Sequence, residues 1–263
     1  MRMKTLLLII DMQNDFCSAE GALYVPGAEA DVRRLIAFME AYRERMDAVW
    51  LTQDNHQVMD IAHPAFWKDR EGNPPVPFTT VTDSEVREGK WIPRTEKEEV
   101  MVYLEQLKAN GEYSHTIWPE HCIWGSVGAA IVPAVMEGVK EWAREGKYFR
   151  ILSKGTHPLT EHFGAFRANI PREDAPETAL NKMLIDELST YDVIWVAGEA
   201  QSHCVANSVK QLLDFPEIVR KLVILEDCMS PVRGYEKLAS PIFEAAAAGG
   251  ALFTTTVALI SEP

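Results

Sequence analysis

Six short apolar runs constrain the fold of this chain more than any other feature of its sequence: Thr5–Ile10, Ala48–Thr52, Tyr148–Ser153, Val193–Gly198, Leu222–Leu225 and Ala251–Thr255. Their apolar character is continuous and does not alternate, which is the mark of parallel strands buried on both faces. Stretches with helix-like spacing lie between or after them, at Asp31–Met46, Ala175–Leu188, His203–Phe215 and Tyr235–Ala248. The alternation predicts an α/β fold: a doubly wound, mainly parallel six-stranded sheet, with right-handed crossovers placing helices on both faces. One stretch breaks the rhythm. From about residue 55 to 138 the chain is rich in Pro, Trp and charge, shows no clear strand of the main sheet, and is far longer than an ordinary loop. It is expected to be a structured insertion or lid after the second strand, helical at Glu96–Leu107, within a single domain spanning 1–263.

Composition narrows the function. The 263 residues are 47% hydrophobic, ample for one large core, and the formal net charge of −13 leaves no cationic surplus for a phosphate backbone, so no nucleic-acid partner is expected. No apolar run approaches the ~20 residues of a membrane span. Met1–Ile10 runs straight into Asp11 without a signal-cleavage pattern, so neither a membrane nor export is expected and the location is read as cytoplasmic. The four cysteines, Cys17, Cys122, Cys204 and Cys228, form no Cys-x-x-Cys pair and are read as reduced thiols.

In open α/β sheets ligands gather at the carboxyl ends of the strands, so the residue that follows each run carries the information. Asp11 follows the first run, Asp54 with His56 the second, Lys154 the third, and the Gly198–Cys204 turn the fourth. A cysteine, a carboxylate and a lysine on one rim supply a nucleophile, a proton carrier and a cation. Lys154 and a helix beginning near Ser202 are both expected to favour the thiolate.

These residues resemble the isochorismatase-like cysteine hydrolases, and within them the nicotinamidases. The matching pieces are Asp11-Met-Gln-Asn-Asp15-Phe16, Asp54-Asn-His56, Trp118-Pro-Glu-His121-Cys122, Lys154-Gly155, Ala165-Phe166 and Gly198-Glu-Ala-Gln-Ser-His-Cys204-Val205. They stand in the family's order and cover nearly the whole chain. The resemblance implies Cys204 as nucleophile, Asp11 as general acid and base, and Lys154 as the cation of the triad. It implies an oxyanion hole from the backbone N–H groups of Ala200 and Cys204, beside a cis Glu199–Ala200 peptide. It further implies a divalent metal, zinc before iron or manganese, held by Asp54, His56 and His121, and a ring pocket walled by Phe16, Trp118 and Phe166. The reaction implied is hydrolysis of nicotinamide, a small-molecule amide, to nicotinate and ammonia through a cysteine thioester, a step of NAD salvage. A homo-oligomer is the expected assembly.

Plainer readings exist for each residue. A free cysteine is commonly buried and inert, Asp11 could cap a strand end, and Lys154 could be a surface charge; none explains why three such groups reach one rim. Asp54, His56 and His121 could be loop residues bonded to backbone, and His63 and His115 stand near enough in sequence to substitute as ligands. His157, His162 and His203 are read as polar or pocket-lining, and Cys17, Cys122 and Cys228 as packing. Gly164 replaces the serine usual before Ala-Phe, and Gln201-Ser202-His203 replaces acidic and aromatic residues. The alternative functions are a metal-free relative acting on another small amide or carbamoyl compound, and a silent binding module that keeps only the fold.

Overall fold

The structure is a computed structural model that describes residues 2–261. Its six-stranded sheet is built from β1 (Thr5–Ile10), β2 (Ala48–Asp54), β5 (Phe149–Lys154), β6 (Val193–Gly198), β7 (Leu222–Leu225) and β8 (Leu252–Thr254), in the order β5-β2-β1-β6-β7-β8. Every pairing in it is parallel. A separate two-stranded antiparallel ribbon joins β3 (Trp67–Lys68) to β4 (Ile92–Pro93) within the insertion. All six residues of β1 are buried, as a central strand covered on both faces requires. Alternate side chains separate the core into two layers. Leu7 and Ile9 join one with Leu35, Phe38, Val135, Val139 and Trp142, while Leu6, Leu8 and Ile10 join the other with Leu184, Leu188, Val209 and Leu212.

The helices are shorter than their apolar spacing suggests, and the reasons are local. The stretch expected at Asp31–Met46 is a helix at Ala28–Ala41 followed by a tight turn at Arg43–Arg45. It begins at Gly27, whose φ of 108° suits glycine. Within Ala175–Leu188 only Lys182–Leu188 is α-helical, because Asn181 caps it by accepting the Leu184 N–H at 3.2 Å. Within Tyr235–Ala248 the helix starts at Ser240, with Pro241 in its first turn. A helix at Pro133–Ala143 also crosses the point, residue 138, where the insertion was expected to end; its Val135, Val139 and Trp142 pack into the main core.

The insertion carries its own apolar cluster, in which Ile61, Phe66, Trp67, Val81, Val86, Val100, Tyr103 and Leu104 pack together. Its longest helix is Lys97–Ala109. At the opposite margin of the sheet, β5 is an outer strand with β2 as its one neighbour. Phe149 and Ile151 on it are partly exposed, and Tyr148 just before it is 92% exposed. Among the described residues no helix is long and apolar enough to cross a membrane.

Candidate active site

Strand register assembles the first half of the site. Parallel pairing sets Asp54 opposite Lys154 and Ile10 opposite Gly198, so the residues ending four neighbouring strands share one rim. Asp11 then turns out of β1 with φ 43°. Two glycines permit the close approach: a Cβ on Gly198 would strike the Ile10 backbone, and one on Gly155, at φ +73°, would strike Asp54 and Asn55. The glutamine of the Asp11-Met-Gln motif has a plain task. Gln13 Nε2 donates to the Asp54 carbonyl at 2.7 Å while its Oε1 accepts the Asp54 N–H at 2.8 Å, fixing the second strand end to the first.

Lys154 lies between the carboxylates, its Nζ 2.8 Å from Asp11 Oδ2 and 3.0 Å from Asp54 Oδ1. It donates to the His162 carbonyl at 2.9 Å, and Cys204 Sγ is 3.7 Å away. Asp11, Asp54 and Cys204 each place one donor atom within 4.8 Å of the others'. Burial lifts the Asp11 carboxyl above its usual range, with Lys154 pulling the other way and Asp54 adding to the rise. For Lys154, burial works against the charge, but Asp11 and Asp54 prevail and hold it well above its usual value.

The thiol departs from expectation. Burial raises Cys204 well above the usual thiol value, Lys154 lowers it, and Asp11 and Asp54 raise it further. Lys154 does favour the thiolate, but it stands closer to two carboxylates than to the sulfur, so one cation already faces two anions and burial prevails. Cys204 lies in a π-helical turn, Gln201–Val205, and the α-helix follows at Ala206–Leu212. The sulfur can therefore lose its proton only as another group takes it. Asp11, whose buried Oδ2 is ion-paired with Lys154, is the carboxylate beside the sulfur that can take it. The Glu199–Ala200 peptide is cis, as the resemblance implied.

The insertion supplies the second half. Asp54, His56 and His121 bring one ligand atom each within 4.8 Å of the others'. His56 Nε2 is 3.1 Å and His121 Nε2 3.8 Å from Asp54 Oδ2. Bonds of about 2.0 to 2.2 Å to a tetrahedral ion leave neighbouring ligand atoms roughly 3.3 to 3.6 Å apart, so the three fit a divalent metal with small adjustments. Each imidazole is turned by a second bond, His56 Nδ1 to Asp60 Oδ2 at 3.0 Å and His121 Nδ1 to the Pro119 carbonyl at 2.9 Å. Burial disfavours charge on His56, yet Asp54 and Asp60 outweigh it and raise the imidazole well above its usual value, so this corner favours a cation. His63 is not the third ligand: its Nδ1 faces the Gln57 carbonyl and its Nε2 faces His121 Nδ1 at 3.3 Å. His115 is bonded to the Ile61 carbonyl beside Trp67 and Tyr103. Asp15 Oδ2 accepts the Cys122 N–H at 2.7 Å, which ties the backbone next to His121 back to the loop after β1.

A narrow pocket joins the halves, lined by Phe16, Leu23, Asp54, Trp118, His121, Glu161, Phe163, Ala200, His203, Cys204 and Val232. Phe16 and Trp118 are among its aromatic lining residues. Phe166 is not: it is 1% exposed in the core cluster with Leu6 and Leu8, its N–H bonded to Gln211, and Phe163 lines the pocket three residues earlier. His203 is a further wall, its ring 5.0 Å from Trp118, 5.2 Å from Phe163 and 5.0 Å from Tyr235. Glu161 carried no sequence signal. Its buried carboxyl accepts the Trp118 indole N–H at 3.1 Å, and burial pushes it up to about 8. A roomier cavity between the helix Lys97–Ala109 and Pro171–Asp174 holds no nucleophile, and its Arg172 is paired with Glu99 and Asp174.

Fold and site together resemble those of the isochorismatase-like cysteine hydrolases. Within that class the chain is like the nicotinamidases. It is 26% identical over 232 residues to the nicotinamidase of Saccharomyces cerevisiae, covering 88% of this chain and 89% of that protein. It is 27% identical over 248 residues to the nicotinamidase of Escherichia coli, covering 94% and 93%. The crystal structure of the yeast nicotinamidase bound to the inhibitor nicotinaldehyde superposes with a TM-score of 0.65 at 20% identity, over 95% of this chain and 99% of that one. A pyrazinamidase of Pyrococcus horikoshii in complex with zinc has a TM-score of 0.55 at 16% identity, over 96% and 99%. No protein-family model matches the chain.

Proposed function

We propose that this chain is a nicotinamide amidohydrolase, releasing nicotinate and ammonia. The observation that carries the reading is one pocket that joins the Asp11, Lys154 and Cys204 cluster to the Asp54, His56 and His121 cluster between aromatic walls. Asp11 takes the thiol proton as Cys204 Sγ attacks the carboxamide carbon. The tetrahedral oxyanion is met by the Ala200 and Cys204 N–H groups. The C–N bond breaks as the proton on Asp11 passes to nitrogen, and ammonia leaves. Water, giving a proton to Asp11, then attacks the acyl thioester; nicotinate departs and the thiol is restored. Lys154 keeps Asp11 in place and balances its charge through the cycle. Phe16, Trp118 and Phe163 hold the flat ring by its faces and edges. A divalent ion held by Asp54, His56 and His121 would supply a Lewis-acid contact for the ring nitrogen. We read the chain as one hydrolase domain whose insertion, about 55–138, provides Trp118 and His121 as one side of the pocket.

The convergence of three metal-type donors disfavours the metal-free alternative. Ammonia release should be measured across nicotinamide, pyrazinamide and aliphatic carbamoyl amides, before and after chelation. Turnover of the pyridine and pyrazine amides, lost on chelation and restored by a divalent metal, is expected. Preference for a carbamoyl compound, indifferent to chelator, would reject the proposal.

A further inference from the structure

Glu199 stands at the end of β6, fully buried, and does not line the pocket. Its N–H donates to the Ile10 carbonyl at 2.8 Å and its Oε2 accepts the Ser230 N–H at 3.1 Å, while its Oε1 is buried with no partner. Ser230 also serves a second acid, since its Oγ donates to Oδ2 of Asp31, which is 1% exposed, at 2.5 Å. The other Asp31 oxygen accepts from Arg34. The same segment is tied to the catalytic turn twice more: Gln201 N–H donates to the Ser230 carbonyl at 2.9 Å, and Val232 N–H to Ser202 Oγ at 3.0 Å.

The charges do not balance if both acids are ionised. Arg34 is the nearby cation, and the other titratable groups facing the pair are Glu29, Asp227 and the thiols Cys17 and Cys228. Glu29 is taken up by Tyr24, Asp227 by Thr256, and burial raises both thiols, so neither compensates. Burial first, and Asp31 second, hold Glu199 well above the usual carboxyl range. A protonated Glu199 gives its orphan oxygen a use, because Asp31 can accept the O–H.

We propose that Glu199 works as a carboxylic acid hydrogen-bonded to Asp31, and that this pair is the positioning device for the turn carrying the Ala200 and Cys204 N–H groups. The role in turnover rests on the hydrolase reading above. Ionising Glu199 sets two carboxylates against one arginine and loosens the Ser230 segment, so the oxyanion donors lose their register at alkaline pH. The linkage has a definite sign. A carboxyl raised on folding contributes stability that is whole below its unfolded value, about 4.3, and is lost as pH rises from there through the folded value.

Glu199→Gln replaces the shared proton by a permanent amide donor, whereas Glu199→Leu removes both bonds. Steady-state kinetics on nicotinamide from about pH 6 to about 10, with urea midpoints at each pH, separate the cases. The expected result is that Glu199→Gln keeps kcat within about threefold of wild type, moves the alkaline limb upward and flattens the fall of stability with pH. Glu199→Leu should lose kcat by about tenfold or more with KM changed less than about twofold. Wild-type kcat in Glu199→Leu, or an unshifted alkaline limb and an unchanged stability slope in Glu199→Gln, overturns the proposal. If Glu199→Leu does not fold, the glutamine variant decides. If the wild type releases ammonia from no amide, the proposed function fails by itself, and the stability slope of Glu199→Gln still upholds or overturns the Glu199–Asp31 pairing.

Discussion

The two halves of the site are held by different means. Asp11, Asp54, Lys154 and Cys204 follow or end strands whose register is set by continuous ladders, and buried ion pairs bind Lys154 to Asp11 and Asp54. Trp118 and His121 lie on an irregular segment, positioned by a few individual bonds, from Trp118 to Glu161, from His121 to Pro119 and from Cys122 to Asp15. Bond-making groups need placement to a fraction of an ångström, which a sheet provides; a flat ring gripped by aromatic faces tolerates more. Chemistry and recognition are thus assigned to elements of different stiffness.

Variants can test that division. The largest effect is expected from Cys204→Ala, which should lower kcat by at least about 10³-fold with an unchanged circular dichroism spectrum, because one thiol contributes little to packing. Lys154→Met should follow: it leaves Asp11 and Asp54 buried without their cation, and urea titration should show a loss of about 3 to 5 kcal/mol along with the activity. In the insertion half, Asp60→Asn changes the partner of His56 while an amide oxygen can still accept the Ala62 N–H, and metal affinity measured by competition with a chelator should fall about 10- to 100-fold while stability changes little. Trp118→Ala is expected to be mildest. It should raise KM for nicotinamide about tenfold at unchanged metal content, consistent with a stacking contribution of about 0.5 to 1.5 kcal/mol plus lost burial. If instead Trp118→Ala matched Lys154→Met in kcat and stability, the contrast between the halves would collapse.

The strand half was legible in the sequence, and the insertion half was legible in part. A doubly buried strand must be continuously apolar, so its last residue and the chemistry that follows stand out without any structure. Irregular segments offer no such period. Phe166 looked like a pocket wall beside Ala165, yet nothing in a loop sequence says which way a ring turns, and Phe163 took that place. Glu161 was missed because a solitary glutamate ordinarily signals solvent. The helix Pro133–Ala143 was hidden by Gly138 within it, although Pro133 at its start is a usable signal. That glycine lies against Met39, whose side chain a Cβ would meet only at ordinary contact distance. His121, singled out through Trp118-Pro-Glu-His121, is the histidine whose ring gathers with Asp54 and His56; spacing alone left His63 and His115 in contention.

The open margin of the sheet bears on how the protein should age. Lys154 ends β5, one of the two strands with a neighbour on one side, so half of that strand's backbone groups face away from the sheet. Such strands open at lower cost than the interior and exchange their amide hydrogens sooner. Among the ladders of the strand half, the cation that the proposed chemistry requires is therefore carried by the one expected to open at lower cost, while the nucleophile follows an interior strand, β6. On storage or gentle warming, ammonia-releasing capacity should decline before the helical signal does, and a ligand that draws Asp54 and Lys154 together should lengthen the shelf life of both.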